Sequence, residues 1–135
     1  MSGERGSMSV FTVLFSVVVF LLAGLLVDGG AAINARLRAA DVAEQAARAG
    51  ADRIDVEHLR ATGRARLLGE REVCARAEEV VAAHDGDEIS RGECSVRGTE
   101  VSVSVRVRWT AFFLGALGFS GSQMEGVATA APEAR

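Results

Sequence analysis

The chain has no tyrosine and no lysine, one tryptophan, two histidines and two cysteines in 135 residues. Each shortage removes a class of function. Without tyrosine, and with one tryptophan, there is no run of rings on which bases could stack. The formal net charge of −3 removes the electrostatic footprint of a nucleic-acid binder. The two cysteines, His58 and His84 show neither CxxC nor HxxxH spacing, so the common zinc arrangements are missing. No Gly-rich phosphate loop, nucleophile elbow or metal-binding helix occurs. Asp52, Asp55, Glu57 and the Asp85–Glu88 group read as solvated surface, and neither histidine has an oriented neighbour. No enzymatic activity and no cofactor are expected.

What is present begins with a long apolar run. Met8 to Val27 holds no charge, and twenty residues of helix rise about 30 Å, the thickness of a bilayer's hydrocarbon core. A signal-peptide apolar region is shorter, about 7–15 residues, and ends in a small-x-small site that Leu25-Leu26-Val27-Asp28 does not offer. A buried core helix would need more covering chain than follows. A retained transmembrane helix over 8–27 is expected, with the lipid bilayer as its first partner. Arg36 and Arg38 after the span outnumber Arg5 before it, so arginine counting places the downstream part inside. The two cysteines, both downstream, argue for the opposite orientation.

Residues 31–51 include ten alanines, the strongest helix former, and Glu44 and Arg48 make a favourable i,i+4 pair. Ala31, Ala35, Ala39, Val42, Ala46 and Ala49 fall on one face, and the same face projected backwards includes Gly24. Small side chains let backbones approach closely, as associating helices in lipid require. The stripe therefore meets either a neighbouring helix, including another copy of the chain, or the chain's own globular part. Asp28 at the lipid boundary has two readings: an interfacial residue that ends the span, or a partner for a basic group on a neighbouring subunit. Gly29-Gly30 marks a point where the rod could bend.

The remainder reads as a small domain. Residues 51–68 suggest a connecting loop with a short strand, and Glu70–His84 a helix whose apolar face is Val73, Cys74, Ala77, Val80 and Val81. From Thr99 to Trp109, Val101, Val103, Val105, Val107 and Trp109 alternate with polar residues, the pattern of a half-buried strand. Arg97-Gly98 would close a hairpin that sets Cys94 opposite Val101. Cys74 and Cys94 then lie on surfaces that meet, either as a disulfide or as two buried thiols. The stretch AFFLGALGF, 111–119, is too short to span a bilayer and reads as a crossover beneath the sheet, leading to a last strand near 123–130.

The opening Arg5-Gly6-Ser7, the run from Val10-Phe11, the closing AGLLVDGG and the following RAADVAEQAARAGA resemble TadE/TadG-like proteins of the Flp (Tad) pilus assembly system. The valine strand and the glycine-interrupted crossover are similar to actinobacterial members in general layout. The resemblance implies a bitopic, pilin-like α+β protein: a cytoplasmic leader over 1–7, a membrane helix over 8–27, an Ala-rich helical extension over 28–50, and an extracytoplasmic domain of helix and antiparallel sheet over 51–135. It implies pilin or pseudopilin subunits and the Tad membrane platform as partners. Gly6-Ser7 matches the prepilin-peptidase site of processed members. The fifth residue after that cut is Phe11, where processed members carry glutamate, so an accessory subunit fits better than a major pilin. The alternative is a single-pass sensor or binding module. The anchor predicts that the chain sediments with membranes and resists carbonate extraction; recovery in the soluble fraction would remove it.

Overall fold

The computed structural model describes residues 3–84 and 86–133, with side chains from Gly6 onward; Asp85 and the Arg5 side chain lie outside the described residues. One helix, α1 (Gly3–Ala51), forms the spine. It continues through Gly29-Gly30, where two glycines cost about 1 kcal/mol each against alanine. A Cβ at either position would meet nothing within 4 Å, so packing does not explain them.

Behind the outer half of α1 lies a three-stranded antiparallel sheet in the order β1 (Ile89–Arg97), β2 (Glu100–Thr110), β3 (Gly121–Ala130). β2 presents Val101, Val103, Val105 and Val107 to α1, all buried, because alternate residues of a strand share one face. They close on Ala35, Ala39, Val42, Ala43, Ala46 and Ala47 of the helix. Alanines on one side and valines on the other let helix and sheet approach closely. The limit is Gly126, where a Cβ would lie 2.3 Å from the Ala40 nitrogen. There strand backbone rests directly on helix backbone.

Helix α3 (Glu70–Ala83) covers the rest of the core with Val73, Ala77 and Val81. A disulfide joins Cys74 on α3 to Cys94 on β1, across a Cα–Cα distance of 5.8 Å. Closing a loop of 20 residues contributes about 3 kcal/mol in the chain-entropy account.

The structure corrects several local expectations. The 51–68 segment is not a plain loop: it contains α2 (Val56–Thr62), begun by Asp55, whose side chain accepts from the His58 N–H, and ended by Gly63 at φ +70°. The short strand there is one bridge, Ile54 to Leu67. The first hairpin turns at Gly98-Thr99, with Gly98 at φ +60°, so Cys94 pairs with Val103 rather than Val101. Moving the register by two residues preserves every face. Ser104, expected outside, is buried. A bulge between Arg91 and Cys94 leaves the Glu93 N–H without a ladder partner, and the Ser104 hydroxyl accepts it at 2.8 Å.

Two consequences can be measured. Gly126→Val forces a side chain into the α1 backbone and is expected to destabilise the domain by about 3 kcal/mol or more, read by urea unfolding in detergent. The Asp55 carboxyl is held below its usual range by the His58 N–H and by Arg66, despite opposing desolvation. A depressed carboxyl stabilises the fold above its ordinary value of 3.8 and loses that contribution as pH falls through the lower folded value. Hydrogen exchange at the His58 amide should therefore quicken, relative to an unprotected amide, only below the ordinary carboxyl value of 3.8.

Candidate functional site

The functional geometry lies where α1 leaves the domain. From Met8 to Val27 every side chain of the helix is exposed except at Gly24. Apart from a contact at Gly24, the described residues leave this apolar cylinder bare, and it is long and apolar enough to cross a membrane. Gly6 and Ser7 sit exposed in its opening turns.

Asp28 ends the bare stretch, but it faces neither water nor a basic group. Its side chain is 1% exposed. One carboxylate oxygen accepts from the Phe112 N–H at 2.8 Å and the Phe113 N–H at 3.2 Å; the other accepts from the Leu114 N–H at 2.7 Å. Those three donors open a short 3₁₀ turn, Leu114–Leu117, inside the β2–β3 connection. Such a start leaves backbone N–H groups without internal partners, and a carboxylate is a strong acceptor for them. One helical turn earlier, Gly24 makes room for Phe113: a Cβ there would lie 2.9 Å from the Phe113 Cβ and Cγ.

The AFFLGALGF stretch is therefore not a crossover beneath the sheet. It is a hairpin tip that leans on α1 beside the span. A groove between them is lined by Phe20, Leu21, Leu25, Leu114, Ala116 and Leu117. Trp109, at the base of the tip, packs against Phe119 with ring centroids 6.1 Å apart.

Of the small-residue stripe, Ala35, Ala39, Val42 and Ala46 are buried against the chain's own sheet, and Ala31 and Ala49 lie half-buried at its margins. Of the two partners considered for that face, the structure supplies the domain. The opposite face stays open: Leu22, Leu26, Ile33 and Leu37 recur at spacings of 4, 7 and 4, and each is at least 59% exposed. Among the described residues, no group of three or more His, Cys, Asp or Glu side chains is arranged to hold a metal.

The spine also carries the family signal. Residues 6–53 match the family model described as putative Flp pilus-assembly TadE/G-like. The spine is similar to that family over those 48 of 135 residues. The match runs almost coextensively with α1, the helix that holds Gly24, Asp28 and the sheet-facing alanines. The sheet that the helix carries lies outside the match. No curated protein and no solved structure gives a significant match to the chain.

Motif reading placed the resemblance in the right segment. It missed the bond between Asp28 and the tip, whose signal was an acid ending an apolar run and a glycine one turn earlier. Asp28→Ala strands three donors, each costing about 1–3 kcal/mol when unmatched, so a loss of roughly 3 kcal/mol or more is expected. Thermal unfolding and protease cleavage within 112–119 would report it; an unchanged tip would contradict the role given to Asp28.

Proposed function

We propose that this protein is a non-enzymatic accessory subunit, a minor pseudopilin, of a Tad/Flp-type pilus assembly or secretion apparatus. It is held by one membrane helix, with its N-terminus cytoplasmic and its sheet domain outside. The TadE/G-like match over the spine supports the setting, and the apolar helix fits a single-pass anchor. The Cys74–Cys94 disulfide supports an oxidising compartment for the domain. Phe11, standing where processed members carry an acid, favours an accessory role over a major filament subunit.

The observation that carries the reading is the open face of α1. Leu22 and Leu26 lie within the span, but Ile33 and Leu37 continue the same stripe beyond Asp28, where lipid no longer covers them. Large apolar side chains in a row on an exposed helix are the surface another helix packs against. The small-residue side is occupied by the sheet, so helix-on-helix contact with pilin or pseudopilin subunits, with the Tad membrane platform or with another copy uses this opposite side.

A photo-crosslinking residue at Arg36, exposed beside the stripe, in cells that express the pilus machinery, is expected to capture a helical subunit of that machinery or a second copy. Exchanging Ile33 and Leu37 for Ser removes burial worth about 1.5–3 kcal/mol per side chain and should lower the yield more than tenfold without changing membrane retention. Equal yields, or no protein adduct at all, would contradict the proposal. A sensor module would instead tolerate both changes and keep its function.

A further inference from the structure

We propose that the β2–β3 tip, Phe112–Phe119, inserts among the acyl chains of the leaflet nearest the sheet domain, as a second membrane contact beside the α1 span. This rests on the anchor reading above and adds an element that the spine does not imply.

Depth is fixed by the packing of β2 on α1. Val101 touches the Gly50 position, and the Phe112 N–H bonds to Asp28. Between Gly50 and Asp28 the helix rises about 33 Å, and between Val101 and Phe112 a strand advances about 36 Å. β2 is thus just long enough to run back from the far end of the domain to the lipid boundary. The residues that follow have only the span beside them. Phe113 on Gly24 lies about 6 Å, one helical turn, inside the 8–27 run.

The surface presented at that depth is apolar. Residues 111–119 contain no charged side chain. Phe112 is 78% and Leu117 is 74% exposed, and Phe113 and Phe119 are partly exposed. They extend the lipid-facing surface of Phe20, Leu21 and Leu25 without a polar break. The occupant follows from this continuity: acyl chains that cover the span cover the tip as well, and a protein partner would have to lie within the same hydrocarbon layer.

Non-helical backbone enters hydrocarbon only if its polar groups are satisfied from within the protein. Asp28 takes the N–H groups of Phe112, Phe113 and Leu114. The N–H groups of Ala116, Gly118 and Phe119 bond to carbonyls of the same turn. A solvated loop would have no need of a buried carboxylate to close its donors. With helix and tip both in the bilayer, the domain is held at two points and cannot swivel about α1.

The test uses the full chain in phosphatidylcholine vesicles. Trp109→Phe combined with Leu117→Trp places the sole tryptophan at the tip, and Trp109→Phe combined with Phe112→Trp provides a second position. Expected is blue-shifted emission that lipids brominated in mid-chain quench almost completely, whereas aqueous iodide does not. Unquenched, red-shifted emission from vesicle-bound protein at both positions would overturn the insertion while leaving the anchor intact. Protein that fails to sediment with the vesicles would overturn both. Quenching that fades as protein density rises would assign the tip to a second copy and overturn the lipid assignment.

Discussion

One helix has to satisfy two different surroundings. On the proposed anchor reading, lipid surrounds α1 over 8–27 and offers no partner for a polar group, and the Thr12 and Ser16 hydroxyls there bond back to the Met8 and Thr12 carbonyls. Over the next twenty or so residues it must be small and apolar on one side, because a sheet lies there. Alanine meets the second demand and also keeps the helix intact, which explains how the rod passes Gly29-Gly30 without a break. The rest of the domain is arranged around that commitment. β2 offers valines of matching depth, β3 crosses at a residue with no side chain, and α3 closes the remaining flank with a disulfide to β1.

Asp28 stands where the bare apolar stretch of α1 ends and the sheet-covered part begins. A free carboxylate there would only mark the end of the span. Turned inward onto three backbone N–H groups, it ties the spine to a segment 84 to 86 residues later in the chain. The bond couples the exposed apolar half of α1 to the sheet, so on the proposed anchor reading orientation in the membrane and integrity of the domain become one property. For the proposed role, in which a helix face is presented to neighbours, that coupling matters. The stripe from Leu22 to Leu37 points in a fixed direction only if the domain behind it does not turn.

How much of this was legible depends on how local each signal is. The span, the Ala-rich helix, α3 and the β2 alternation are written in consecutive residues, and periodicity alone reveals them. Cys74 and Cys94 were placed on facing surfaces by two such periodicities, and the structure bonds them. Asp55 and Gly63 are ordinary cap residues, yet the seven-residue helix between them buries none of its residues and offers only Val56 and Leu59 as an apolar pattern. The hairpin was misplaced by one residue in its turn because both Arg97-Gly98 and Gly98-Thr99 offer a glycine. Ser104 and the tip went unread for a different reason. Each is decided by a partner on another element, a bulge in β1 and a carboxylate in α1, and no window along the chain contains both halves.

The central claim is that a single unbroken helix serves both the bilayer and the core. Hydrogen exchange on the full chain in lipid nanodiscs, resolved across residues 25–35, tests it most directly. Continuous slow exchange through Gly29 and Gly30, matching the sheet-covered turns above them, is the predicted result. A window of fast exchange at 28–31, between two protected flanks, would show an anchor and a domain joined by a hinge, and would contradict the account.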